Sequence, residues 1–283
     1  MGFYDAHVHF FFDGPLEDLK GKISLLKEAG FAGINVLVIS EFPPEKETYL
    51  KMIPGAYHGH ATPDAFRHQK DPFEALGVLS SQIAIVPFLD ARFIGKDIAE
   101  TVKRYWEKGF KGLKLLYVPE EDSTFQIGGM EKTFGRTLKE SEEITSQLID
   151  QADSLGWPVL MHVDLRRYGE FAESMLRSYP RTPFNIPHFG FSRKAISSLL
   201  KRYPNCFTDT SSLFPYMEQE PAAYRDFIKS YQDRILFGSD AVIGEPEKMV
   251  SVLNFMKGFL EDEQLLLKIA HRNYLQYMAY RAG

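Results

Sequence analysis

Eight short apolar runs, rich in β-branched and aromatic residues and separated by amphipathic stretches, constrain this 283-residue chain more than any other feature. They are Phe3 to His9, Gly33 to Ile39, Ile83 to Leu89, Gly112 to Tyr117, Pro158 to Val163, Phe184 to Pro187, Cys206 to Thr210 and Arg234 to Phe237. Between the first two, Leu16, Leu19, Ile23, Leu26 and Ala29 recur at helical spacing and Gly30 supplies a stop. The same holds for Ile98 to Lys108 before Gly109 and for Glu142 to Leu155 before Gly156. Parallel strands need a crossover between them, so strand, helix, glycine, strand reads as a parallel sheet. Eight such units favour closure over an open sheet and predict an α/β fold, a (β/α)8 TIM barrel formed by residues 1–283 as a single domain. Two connections distort the repeat, Ser40 to Gln82 after strand 2 and Val118 to Lys139 after strand 4. Both leave strand C-termini, where barrel loops gather over the mouth, and each is expected to be a binding segment or a surface insertion. Gly128, Gly129 and Gly135 would let the second one move.

Composition removes several function classes. The formal net charge is −5 with both signs mixed along the chain, so there is no basic stripe and nucleic acid is not an expected partner. No apolar stretch reaches the ~20 residues of a membrane span, and the N-terminus carries neither the basic start nor the apolar segment of a signal peptide. No membrane association and a cytoplasmic location are expected. The single cysteine, Cys206, sits between Asn205 and Phe207 and reads as a buried structural thiol.

Chemistry-bearing residues cluster at the ends of the runs. His7 and His9, two apart at the tip of the first strand, share a face and can converge on one cation. A lone His-x-His is more often packing. Here Lys114 lies in the fourth run, His162 in the fifth, His188 just after Pro187 of the sixth, and Asp240 just beyond the eighth. Closing the barrel would bring all of them to one mouth, whereas each alone could be structural and Asp240 could serve as a cap.

This pattern, Asp5-x-His7-x-His9 on the first strand, His162 and His188 on the fifth and sixth, and Asp240 on the eighth, resembles the amidohydrolase superfamily over nearly the whole chain. Gly109 to Lys114, Pro187 to Gly190, Ile235 to Asp240 and His271 to Tyr274 are similar to the branch containing aminocarboxymuconate-semialdehyde decarboxylase and pyrone-dicarboxylate lactonase. The resemblance implies a divalent metal ion held by His7, His9, His162 and Asp240. Imidazole plus carboxylate suits zinc first, with iron, manganese, cobalt and nickel as competitors. It also implies that Asp240 accepts a proton from an activated water, while His188 polarises the carbonyl or binds a second metal. Lys114 decides between one cation and two, because in binuclear relatives a fourth-strand lysine is carboxylated and bridges them. The ordinary alternative is an uncharged or ion-paired lysine.

Arg92 after the third strand, Tyr117 after the fourth, and Arg166 and Arg167 after the fifth are the candidate substrate-binding groups, and they imply a small anionic substrate. Phe10, Phe11 and Phe12 would line the pocket or support its loop. His58, His60 and His68 read as loop histidines, and His271 as a packing or capping residue. The expected function is therefore a metal-dependent hydrolase of a lactone, ester or amide. The alternatives are a metal-dependent non-oxidative decarboxylase, a metal-free lactonase, and a barrel that binds without turnover. By analogy with that branch, pairing as a homodimer is expected.

Overall fold

The computed structural model describes residues 2–11, 16–39, 41, 43, 45–60, 76, 77 and 79–280. Phe12 and His68 lie outside the described residues. Nine strands, β1 (Phe3–His9), β2 (Phe31–Ile39), β3 (Ala84–Asp90), β4 (Gly112–Leu116), β5 (Val159–His162), β6 (Phe184–Ile186), β7 (Cys206–Asp209), β8 (Ile235–Leu236) and β9 (Ala241–Val242), form one parallel sheet. Its order is β8-β7-β6-β5-β4-β3-β2-β1-β9. The two ends meet: Ala6 N donates to Phe237 O at 2.9 Å and Asp240 N donates to His7 O at 3.0 Å, so the eighth strand closes on the first. Strand β9 was not foreseen. It is two residues long, follows Asp240 directly, and pairs Ala241 with Val8 and Val242 with His9.

The outer layer comprises α1 (Leu16–Glu28), α2 (Lys46–Lys51), α3 (Ile98–Glu107), α4 (Met130–Phe134), α5 (Leu138–Leu155) and α6 (Leu165–Ser178). It continues with α7 (Arg193–Arg202), α8 (Phe214–Gln219), α9 (Pro221–Ser230), α10 (Pro246–Leu260), α11 (Glu263–Leu267) and α12 (Asn273–Met278). Outward strand residues such as Ile34, Val36, Leu113, Val159 and Met161 pack beneath these helices in one large core. A separate core fills the barrel itself. Ala6, Leu37, Phe88, Leu160, Phe207 and Leu236 occupy the interior, with Tyr274 and Tyr277 of α12 in the same cluster. Gly112 is required there, because a Cβ on it would lie 2.5 Å from the Phe88 ring.

Strand parity converts this apolar core into a site. Residues two apart on a strand share a face and stand ~6.6 Å apart along it. Phe88, Gly112, Leu160 and Phe207 therefore place Asp90, Lys114, His162 and Asp209 on the same inner face, one step nearer the strand C-termini. The two long loops are fastened to each other above this face. Gly55 N donates to Phe125 O at 2.9 Å, and Gly128 N donates to Lys51 O at 2.7 Å. Gly129, expected to give mobility, is instead packed tightly: a Cβ there would lie 2.5 Å from the Glu120 carbonyl carbon.

Candidate active site

Between Asp5 and Val8 strand β1 advances one residue more than β2, a bulge that re-aims its tip. Asp5 Oδ1 accepts from His7 N and from Ser239 N, both at 3.0 Å, locking β1 to the segment that carries Asp240. Burial pushes the Asp5 carboxyl up to about 7 despite those hydrogen bonds. His188 and Asp240 both hold left-handed backbone, with φ of 57° and 58°, as does Ser212 at 55°. Non-glycine residues adopt this conformation at a cost of roughly 1–2 kcal/mol each, and here it turns their side chains over the barrel mouth.

His7, His188 and Asp240 each offer a ligand atom, and these atoms all lie within 4.8 Å of one another, all three residues being buried. His7 Nε2 is 3.2 Å from Asp240 Oδ1 yet has no hydrogen-bond partner among the described residues. His9 Nε2 approaches the same oxygen at 3.1 Å. Ser212 Oγ donates to Asp240 Oδ2 at 2.6 Å, and Tyr57 donates its hydroxyl to the Asp240 carbonyl at 2.9 Å. Burial alone would raise the Asp240 carboxyl, but His7 and the hydrogen bond from His9 outweigh it and hold the group well below the usual carboxylate range. Burial also depresses the histidines: His9 falls to about 4, His188 is lowered, and His162 is well below its ordinary value with Lys114 adding to the effect. At neutral pH these three rings are neutral and keep a lone pair for a cation or a proton.

Asp209, which sequence reasoning missed, organises the group from below. Its Oδ2 accepts from His7 Nδ1 at 3.1 Å and from Asn185 Nδ2 at 2.8 Å. Its Oδ1 accepts from His188 N at 3.2 Å, from Ser211 N at 3.1 Å and from Ser211 Oγ. The Ser211 carbonyl in turn accepts from His188 Nδ1 at 2.9 Å. Asp209 was legible in principle: it stands two residues after the interior Phe207, at the tip of β7.

The other expected residues separate into three groups. His162 and Lys114 face the same cavity, but His162 sits among aromatic rings, 5.2 Å from both His188 and Phe191 and 6.1 Å from Phe125 between centroids. Lys114 is fully buried, and its Nζ makes no hydrogen bond or ion pair with the described residues. Burial lowers it to about 8 against the pull of Asp90. Arg92 borders the cavity with its fork already committed: Nε and Nη2 reach Asp90 at 2.9 and 2.5 Å, and Nη1 reaches Met52 O at 2.8 Å. Tyr117, Arg166 and Arg167 do not line it. Counting from Lys114, Tyr117 has outward parity; its ring stacks on Phe171 at 4.3 Å and its hydroxyl donates to Glu142 at 3.3 Å. Arg166 forks onto Asp164, and Arg167 pairs with Glu120. Phe11 supports the site by stacking on Tyr57, whereas Phe10 belongs to the outer core. His58 faces the carbonyls of Leu50 and Ile53, His271 binds Gly2 O, and Cys206 is buried with its thiol pushed up to about 12.

The cavity above these groups has a volume of about 450 Å³. Its walls include Tyr57, Leu116, Phe125, Phe191 and Val242, with Tyr216, Glu245 and Lys248 also lining it. A protein-family model described as Amidohydrolase matches residues 4–273. No curated protein sequence matches the chain. Among solved structures, the chain is similar to a lactonase from Listeria monocytogenes, with TM-score 0.67, 11% identity and coverage of 99% of this chain and 95% of that one. It is also similar to a protein from Acinetobacter baumannii described as a probable 2-pyrone-4,6-dicarboxylic acid hydrolase with citric acid bound. There the TM-score is 0.62 at 14% identity, covering 99% and 100% of the two chains. A phosphotriesterase homology protein from Escherichia coli, with phosphate in its active site, matches at TM-score 0.59 and 10% identity over 98% of each chain.

Proposed function

The chain belongs to the amidohydrolase family, and on that premise we propose that it hydrolyses the carbonyl bond of a small lactone, ester or amide. The observation that carries this is the His7, His188 and Asp240 group, with its ligand atoms within 4.8 Å of one another at a cavity sized for a small ring. The unpartnered, buried His7 Nε2 and the neutral His188 make this group a fit for a divalent cation, with zinc favoured by two imidazoles and a carboxylate. His7, His188 and Asp240 would hold it, with His9 against Asp240 Oδ1. Such a cation supplies Lewis acidity for the carbonyl and brings the pKa of water toward neutrality.

The protein groups divide the remaining work. Asp240, ionised and steadied by Ser212, is the base that takes the proton of the attacking water at Oδ2. His188 gives its Nδ1 proton to the Ser211 carbonyl, so its Nε2 is an acceptor. That favours a ligand role over donation of a hydrogen bond to the substrate carbonyl. Lys114 is the cation available deep in the cavity, because Arg92 is spent on Asp90 and Met52 O. Lys248 is exposed and Glu245 lines the same cavity. Together with the aromatic walls, this supports a small ring substrate carrying at most one carboxylate near Lys114. The decarboxylase alternative uses the same groups and differs in releasing carbon dioxide.

The test is to measure metal in the purified protein, then to follow turnover of neutral, monocarboxylated and dicarboxylated lactones, esters and amides before and after chelation. Bound zinc or manganese, with chelator-sensitive hydrolysis of the first two classes, is the expected result. Protein with no affinity for either ion would overturn the metal reading. Carbon dioxide release without hydrolysis would replace it with the decarboxylase.

A further inference from the structure

Asp209 is the most heavily hydrogen-bonded carboxylate near the site, and it lines no part of the cavity. It is fully buried and accepts from five donors on four residues: His7, Asn185, His188 and Ser211. A neutral imidazole carries one proton, and a carboxylate with no proton of its own can only accept. The 3.1 Å contact between His7 Nδ1 and Asp209 Oδ2 therefore places a proton on Nδ1, so that Nε2 is the nitrogen left bare whenever the ring carries a single proton. Nε2 is the atom that faces Asp240 Oδ1 at 3.2 Å without a hydrogen bond. The other oxygen of Asp209 holds the His188 backbone N–H and the Ser211 N–H and hydroxyl. Ser211 O then fixes the proton of His188 on Nδ1.

We propose that Asp209 is the positioning residue of this site: it sets the tautomer of His7 directly, and anchors His188 through Ser211, so that both rings turn an unprotonated Nε2 toward Asp240. The inference rests on reading that group as the site, but its central observable, a proton position, does not depend on any bound ion. Partners of this kind beyond the ligands orient them, and their loss typically lowers metal affinity by about 10- to 100-fold.

Asp209→Asn separates this role from a structural one. Its Oδ1 still accepts from His188 N and Ser211, while its new amide can donate to both former partners of Oδ2. Asn185 can receive one of those protons, because its own Oδ1 is buried without a partner and a flip of its amide presents it. His7 Nδ1 must receive the other, which moves the His7 proton to Nε2. The variant thus keeps its hydrogen bonds and reverses one tautomer.

Long-range proton–nitrogen correlation spectra of metal-free, 15N-labelled protein resolve histidine tautomers. The signals of His7 and His188, among the eight histidines, are assigned with His7→Gln and His188→Gln. At a pH high enough that each ring carries a single proton, the expected wild-type result is Nδ1–H for both. In Asp209→Asn, His7 changes to Nε2–H and His188 does not, the midpoint of thermal unfolding moves by only a few degrees, and zinc affinity measured by calorimetry falls about 10- to 100-fold. An Nε2–H His7 in the wild-type protein overturns the proposal even if the variant fails to fold, and so does an unchanged His7 in the folded variant. If neither protein takes up zinc, the metal reading above fails, while a His7 tautomer that still switches upholds the role of Asp209.

Discussion

Arg92 shows how an arginine at a barrel mouth can be structural. Both it and Asp90 are buried, and the pair is joined by two side-chain contacts at 2.9 and 2.5 Å while the third arm of the guanidinium holds Met52 O. Removing two charges from water is costly, and only a well-formed pair offsets it; removing one partner leaves the other charge stranded. Arg92→Ala is therefore expected to destabilise the fold by about 3–5 kcal/mol. Removing Asp90 as well, in Asp90→Asn/Arg92→Met, should recover much of that loss. Urea midpoints of the single and double variants measure this. A single variant within about 0.5 kcal/mol of wild type, the range of ordinary surface changes, would return Arg92 to the list of groups free to meet a substrate.

At the scale of the element, α5 carries its own start and stop signals. Thr137 accepts from Glu140 N at 3.2 Å, and Glu140 Oε2 accepts from Thr137 N at 2.7 Å; Gly156 ends the helix with a φ of 64°. Thr137→Ala should cost about 1 kcal/mol in chemical unfolding and leave kcat/KM untouched, since Thr137 lies outside the cavity. A change in kcat/KM would mean that α5 positions the site. The same element shows what the sequence discloses and what it conceals. Hydrophobic periodicity places the α5 start at Glu142, because Leu138 is an exposed apolar residue off the buried stripe. The Thr137 to Glu140 capping box marks the true start. All eight strand positions are legible from apolar runs, since parallel strands are buried on both faces. Strand β9 is not, because two residues carry no period. Within the site, His7, His9, His162, His188 and Asp240 can be read from their places at or just beyond strand ends and Lys114 from its place within the fourth strand, and parity alone would have turned Tyr117 outward. Arg166 and Arg167 could not be sorted by pattern, because what removes them from the cavity is pairing with Asp164 and Glu120 across loops. Asp209 was missed for a different reason: a fourth carboxylate below the histidines has no role until their ring nitrogens are seen to need acceptors.

For the whole molecule, stacking an apolar interior beneath a layer of neutral histidines makes stability depend on pH in a predictable direction. In the metal-free protein His9 titrates at about 4, and His162 and His188 lie below their ordinary range, whereas in the unfolded chain each protonates near 6.5. Between those limits the unfolded state binds more protons, so these groups contribute stability that is present above about pH 6.5 and lost on acidification. Asp5 acts in the opposite sense. Raised to about 7, it keeps its proton in the folded state where the unfolded chain has lost it, and favours folding toward lower pH. Three histidines oppose one carboxylate, so the histidines win. The unfolding free energy should fall as the pH descends from 6.5 toward 4.5, at about 1.4 kcal/mol per pH unit for each net proton the unfolded chain binds in excess. Asp240 and Asp209, both held below the usual carboxylate range, extend the loss to lower pH. Zinc should stabilise by ~2.7 kcal/mol at a hundredfold excess over its dissociation constant, with less effect as the pH falls, because protons and the cation compete for the same nitrogens. Urea titrations of chelator-treated protein from pH 4.5 to 7.5, with and without added zinc, measure both slopes. A pH-independent midpoint in the metal-free protein would mean that the three rings are not held neutral by burial, and the acceptor role assigned to His188 would fall with them.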